Sequence, residues 1–170
     1  MDVESQYRNT RMAHWDRTAA RKNDPERAGA FYQKLLEHYY RMMVQKGLRV
    51  LELGCGGGDL LAALEPSLGV GVDFSSEMLN IARPRHQECQ FVRADVHDPV
   101  FEYLETEEPF DVIILSDLIN DLWDVQTVFE NMRRFCHPRR PPELAQHPVL
   151  AAGHGTAPGP VHRAAAAQRA

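Results

Sequence analysis

The chain has 170 residues, 44% of them hydrophobic and 25% charged, with a formal net charge of −5. That length suits one domain with a sizeable core and is short for two. The mildly acidic, dispersed charge argues against a nucleic-acid footprint or a polybasic membrane anchor, so small or neutral partners are expected.

Residues 1–24 are polar with isolated aromatics at Tyr7 and Trp15, and a short helix or an arm is expected there. No apolar h-region opens the chain, and no later run approaches the length of a membrane span. Three cysteines, Cys55, Cys89 and Cys136, match neither a disulfide framework nor a zinc pattern, and the histidines show no ligand spacing. A soluble, cytoplasmic protein with free thiols, no membrane partner and no metal is the expectation. From Pro25, the residues Phe31, Leu35, Leu36, Tyr39, Met42 and Met43 recur at helical spacing ahead of Gly47. They predict an amphipathic helix into which Met42 and Met43 pack.

Four strand-like segments follow: Arg49 to Leu53, Gly69 to Val72, Gln90 to Arg93 and Val112 to Leu115. Helical segments lie between and after them, at Asp59 to Leu64, Ser76 to Arg83 behind a Ser75 cap, more weakly Val100 to Leu104, and Val125 to Phe135. Strands alternating with helices imply parallel pairing, hence an α/β class with a Rossmann-like sheet flanked by helices. Residues 1–137 form the expected domain, with a helical arm over about 1–46 and the α/β part over about 47–137. Residues 138–170, rich in Pro, Ala, Gly, His and Arg and without an aromatic, lack either periodicity and read as a disordered low-complexity tail.

Ligands in parallel sheets bind at the carboxyl ends of the strands. Here the first strand ends in the glycine loop of VLELGCGGGDL, the second in Asp73, the third in Asp95 and the fourth in Ser116 and Asp117. A carboxylate ending the second strand can accept both hydroxyls of a ribose, while the glycine turn lets the backbone approach the ligand beside it. Gly54, Gly56 and Gly58 make G-x-G-x-G, and Asp59 stands where a dinucleotide site has its third glycine. An acid there would meet a pyrophosphate badly. No Lys followed by Ser or Thr follows the glycines, so a phosphate-cradling P-loop is excluded too.

In order along the chain, VLELGCGGGDLLAAL, GVDFSSEML, FVRADVHD and PFDVIILSDLINDLWD resemble successive motifs of the class I S-adenosylmethionine-dependent methyltransferases. The resemblance covers roughly the first four-fifths of the chain. It implies S-adenosyl-L-methionine as cofactor and a small-molecule methyl acceptor. Carried over residue by residue, it implies that Gly54, Cys55, Gly56 and Gly58 border the methionine and ribose portion, with Glu52 near the amino group. It assigns the ribose hydroxyls to Asp73, the adenine face to Phe74, the exocyclic amine to Asp95 with the Val96 amide close by, and the methionine end to the Ser116 backbone.

Other readings of these residues stay open. Asp73 also suits a helix cap, Asp95 turn chemistry, and Cys55 a small filler. Asp117 and Asp121 lie where the family commonly places acceptor-side groups, so either can position or deprotonate a hydroxyl; an acid-rich helix start is the competing reading. The opening and fourth-strand segments are similar to methyltransferase domains found with glycosyltransferases, which draws the expected acceptor toward a sugar or glycolipid precursor. The family's sheet has seven strands and four are readable here. The fourth is therefore expected to present an apolar edge open to self-association. Three functions remain: an active methyltransferase, an inactive or fragmentary cofactor-binding module, and a nucleotide-dependent oxidoreductase.

Overall fold

The computed structural model describes residues 2–20, 29–98, 108–135 and 143–145. In chain order these form α1 (Val3–Ala19), α2 (Ala30–Met43), β1 (Arg49–Leu53), α3 (Asp59–Ala63), β2 (Leu68–Asp73), α4 (Ser76–Arg85), β3 (Cys89–Arg93), β4 (Val112–Ile114), α5 (Val125–Met132) and β5 (Glu143–Ala145). Short 3-10 turns cover Ile119–Asp121 and Arg133–Phe135. The expected helix around Val100 to Leu104 lies outside the described residues, as does Cys136.

All strand pairs are parallel, and the sheet order is β3-β2-β1-β4-β5. Val50 of β1 stands opposite Gly69 of β2 on one side and Val112 of β4 on the other. Strand addition therefore runs outward from β1 to β3 and then switches to β1's other side. That switch opens a crevice beyond the carboxyl ends of β1 and β4, the place where parallel sheets take ligands. The central strands are nearly continuous apolar runs because both their faces are covered. Leu51, Leu53, Val70, Val72 and Ile113 pack on Val128 and Met132 of α5. Val50, Val112 and Ile114 turn to the other face and meet α2 and α3 through Leu36, Tyr40, Leu60 and Leu61.

The opening region is a helix of 17 residues, capped by Asp2, whose side chain accepts from the Ser5 amide at 2.7 Å. Ser75 caps α4 as expected, accepting from the Met78 amide at 3.2 Å. Asp124 caps α5 through the amides of Gln126 and Thr127.

The inward face of α2 differs from the one expected. Leu36 and Tyr40 are its buried residues, continued by Val44 just beyond its end. Phe31 is 80% exposed, Met42 63% and Met43 50%, so neither methionine packs inward. The apolar positions of this helix come in adjacent pairs, Phe31–Tyr32, Leu35–Leu36, Tyr39–Tyr40 and Met42–Met43. Spacing alone cannot say which member of a pair faces the sheet. The second member does in the first three pairs, since Leu36, Tyr40 and Val44 at four-residue intervals align on β1 and β4.

A second difference concerns the edge of the fourth strand. Four strands precede residue 138, as read from sequence, but Glu143–Ala145 adds a fifth, pairing Val112 with Glu143, Ile113 with Leu144 and Ile114 with Ala145. The β4 edge is covered over its whole length. A three-residue strand lacks the alternation that would mark it, and it sits among prolines and alanines that gave no strand signal.

Candidate functional site

The first strand leads into a turn in which Gly54, Gly56 and Gly58 all have positive φ, at 72°, 53° and 75°. At Gly54 an added Cβ would also lie 2.9 Å from Leu118, so the loop after β4 seats directly on the glycine turn. Gly58 has a different task. It faces Phe91, 2.6 Å from where a Cβ would stand, and is not among the residues lining the cavity described next. Cys55 is buried with its sulfur against Gly71, where any larger side chain at 71 would collide with it. That packing suits the reading of a small filler, and Cys55 also lines the cavity described next.

A cavity of about 530 Å³ opens over the carboxyl ends of the strands, within the range of small-molecule sites. Glu52, Gly54, Cys55, Gly56, Asp73 and Phe74 line it from β1, β2 and their following turns. Asp95, Val96, Ser116, Asp117 and Asp121 line it from the ends of β3 and β4. Every expected site residue except Gly58 is thus brought to one cavity.

Asp73 is 7% exposed. Its Oδ2 accepts from the Gly56 amide at 2.8 Å and its Oδ1 from the Ser75 amide at 2.9 Å. The glycine turn and the carboxylate hold each other in place. Asp95 Oδ1 accepts from both the amide and Nδ1 of His97, at 3.0 and 2.8 Å, and Oδ2 from Arg8 Nε at 2.7 Å. Burial pushes this carboxyl up, but the His97 hydrogen bonds and the Arg8 charge outweigh it and hold it below the ordinary value. His97 Nε2 accepts from the Asp124 amide at 3.3 Å, which places the imidazole proton on Nδ1. Asn131 of α5 donates to the carbonyls of Val96 and His97, fixing the same loop from below.

The two acids after β4 are arranged differently. Asp117 has φ +55°, a left-handed conformation that aspartate tolerates better than most residues with a side chain. It accepts from the Tyr32 hydroxyl at 2.9 Å. Burial and then this carboxylate push the Tyr32 phenol up to about 12. Asp121 Oδ2 accepts from both Arg11 Nη2 and Trp15 Nε1.

Sequence reasoning missed one wall of the cavity. Tyr7, Arg8, Arg11, His14, Trp15 and Thr18 of α1 line it, together with Tyr32 and Gln33 of α2. Tyr7, Arg11, His14 and Thr18 recur at helical spacing, but the stripe is polar and aromatic, so an apolar periodicity search passes over it. Asp59, read only as an obstacle to pyrophosphate, is held between Gln33 Nε2 at 2.7 Å and His86 Nε2 at 3.1 Å.

Residues 50–139 match the methyltransferase-domain family over more than half of the chain. The chain belongs to that family. This methyltransferase domain is similar to a demethylmenaquinone methyltransferase of Oceanobacillus iheyensis, 34% identical over 104 residues, covering 58% of this chain and 44% of the relative. It is likewise similar to a ubiquinone biosynthesis O-methyltransferase of Coxiella burnetii, 29% identical over 106 residues, with 61% and 45% covered. Each match thus spans less than half the length of the relative. A solved methyltransferase from Thiobacillus denitrificans, described as S-adenosylmethionine-dependent and in complex with S-adenosylhomocysteine, has a TM-score of 0.51 and 20% identity, covering 76% of this chain and 52% of that one. At that identity the likeness is one of fold.

Proposed function

We propose that this methyltransferase domain binds S-adenosylmethionine in the strand-end cavity and directs methyl transfer to a hydroxyl oxygen on a small planar acceptor. Asp73 is the observation that carries the reading: a buried carboxylate, fixed by the Gly56 and Ser75 amides at the end of β2, is suited to holding a ribose diol beside a glycine turn. The rest of the cavity suits the same molecule by its chemistry. When bound, S-adenosylmethionine supplies an electrophilic methyl carbon on a sulfonium sulfur. A cation joined to adenosine favours carboxylates and aromatic faces, and Glu52, Asp73, Asp95 and Phe74 all line the cavity. A pyrophosphate would favour amides and positive charge, and Asp59 opposes it, so the oxidoreductase alternative has little support.

Within this reading the turn at Gly54, Cys55 and Gly56 borders methionine and ribose, Glu52 faces the amino group and Ser116 lines the methionine end. Phe74 covers adenine, and Asp95 with Val96 reads its edge. Gly58 serves the turn from behind, through its packing on Phe91.

For the acceptor, Tyr7, Trp15, Tyr32, Leu118 and Leu122 bring aromatic and apolar side chains to the cavity. The curated relatives named above are quinone-pathway enzymes by name. Both favour a quinone-type ring over the sugar or glycolipid precursor expected earlier, and the second relative's name specifies oxygen as the acceptor atom. Asp117 is the group to take the acceptor's proton, since it lines the cavity and the hydrogen bond it accepts among the described residues comes from a neutral phenol, Tyr32. Asp121 is engaged by Arg11 and Trp15 and serves to position them. Most of the acceleration would come from alignment in a site closed to water, with the base needed only when the acceptor's own pKa is high.

Calorimetric titration of the chain with S-adenosylhomocysteine and with NAD tests the cofactor. Binding of the former alone is expected; equal binding of both, or of NAD alone, would remove the assignment. Turnover of labelled S-adenosylmethionine with hydroxylated quinones and phenols tests the activity. Cofactor binding without turnover would leave an inactive binding module.

A further inference from the structure

Helix α1 is held to the domain in an unusual way. Of its 17 residues only Ala19 is buried, and it carries no apolar stripe of the kind by which a surface helix normally docks. Its polar side chains reach instead to residues that follow three successive strands. Asp16 accepts from the Ser75 hydroxyl after β2. Arg8 forks after β3, donating from Nε to Asp95 and from Nη2 to Asp98, each at 2.7 Å. Arg11 and Trp15 share Asp121 after β4. All three loops border the cavity, and α1 forms one of its walls.

We propose that Arg8 is a cofactor-positioning residue acting through Asp95, and that α1 closes the pocket mainly by these ion pairs and hydrogen bonds, beside the ring contact of Tyr7 with Trp123. The inference rests on the S-adenosylmethionine reading above. An ionised carboxylate has about four acceptor positions. Among the described residues His97 fills two on Oδ1 of Asp95 and Arg8 one on Oδ2, which leaves one on Oδ2 for an amine in the cavity. Arg8 thereby fixes the rotation of the carboxylate that is to read the adenine edge, and its second arm on Asp98 ties the same loop to α1. Ligand affinity and the docking of α1 are then linked, and each strengthens the other. The Arg8 and Asp95 side chains are 27% and 12% exposed, shielded enough to hold the pair and open enough for salt to weaken it.

The test uses the full chain and its Arg8→Met and Arg8→Lys variants, each first checked for native circular dichroism. S-adenosylhomocysteine is titrated at about 50 mM and about 500 mM salt, concentrations at which exposed pairs are weakly and strongly screened. This ligand is a net-neutral zwitterion, so a salt effect reports mainly the protein's own ion pairs. Hydrogen exchange of residues 3–19 is followed with and without it. Expected results are slower exchange of α1 on binding, affinity in Arg8→Met reduced roughly tenfold or more, and a smaller salt effect in that variant. Arg8→Lys should recover part of the affinity, because an ammonium can meet one carboxylate but not fork to both. Wild-type affinity in Arg8→Met, or α1 exchange indifferent to the ligand, overturns the proposal while leaving the cofactor reading intact. If the wild-type chain itself takes up none of the ligand, the cofactor reading falls and the role of Arg8 falls with it.

Discussion

Asp73 is oriented before any ligand arrives, because the two amides that hold it belong to the turns on either side of the site. On the cofactor reading proposed above, a ribose would meet a carboxylate that has little left to reorganise. Asp73→Ala should weaken S-adenosylhomocysteine binding by roughly 1.5 to 3 kcal/mol, the scale of charge-assisted hydrogen bonds. Calorimetry on a variant with native circular dichroism measures it, and unchanged affinity would return Asp73 to the role of a turn-forming residue. The Tyr32–Asp117 pair makes a second prediction. The fold holds Tyr32 as the neutral phenol, with its pKa raised from 10.0 to about 12. Its contribution to stability is complete below about 10 and is lost as pH rises through about 12. Ultraviolet titration should find a late-ionising tyrosine, and Asp117→Asn should bring it down, since a neutral amide exerts no comparable repulsion on the phenolate. A titration curve identical in that variant would mean that burial alone raises Tyr32.

At the scale of elements, what could be read from the sequence follows the strength of the local signal. The segments VLEL, GVGVD and VII belong to apolar runs ended by glycine, acid or serine, and they form the three central strands of the sheet. Ser75 before α4 gives a cap of the usual kind. In α2 the helix was legible but its inward face was not, because doubled apolar positions satisfy two registers equally well. In α1 the helix is docked through polar pairs to residues about 60 to 110 positions away, and no local pattern records such partners. The short β5 depends wholly on the strand beside it. The α2 register carries a direct test by chemical denaturation. Leu36 is 7% exposed and packs on the β1–β4 face, so Leu36→Ala should lower stability by about 2 to 4 kcal/mol. Met42→Lys, at a position 63% exposed, should change it by less than about 0.5 kcal/mol. The reverse order would restore the face inferred from spacing.

For the whole molecule, the loop after β3 joins parts that are distant in sequence. Arg8 of α1 and His97 converge on Asp95, His97 continues to the Asp124 amide at the start of α5, and Asn131 of α5 holds the loop's carbonyls. One partly buried carboxylate thus ties α1 and α5 to the sheet, and its ionisation bears on the entire fold. Its folded pKa lies below the ordinary 3.8, with burial opposing the shift and the His97 bonds and Arg8 outweighing it. Because the ionised form is the one the fold binds, the stabilisation is complete above the ordinary value and is lost as pH falls through the lower folded value. Unfolding of the ligand-free chain should therefore become easier as pH drops below about 4. Asp95→Asn should lose roughly 1 to 3 kcal/mol near neutral pH, by weakening the ties to Arg8 and His97. The same variant should show a shallower acid limb, since it has one fewer depressed carboxyl to protonate. Asp124, whose carboxyl is also held low, first by the Thr127 hydroxyl, remains in that variant, so some slope should persist. Melting temperatures from pH 7 down to about 2 in wild type and Asp95→Asn provide the measurement. Parallel curves would show that Asp95 holds the loop without governing the acid stability of the molecule.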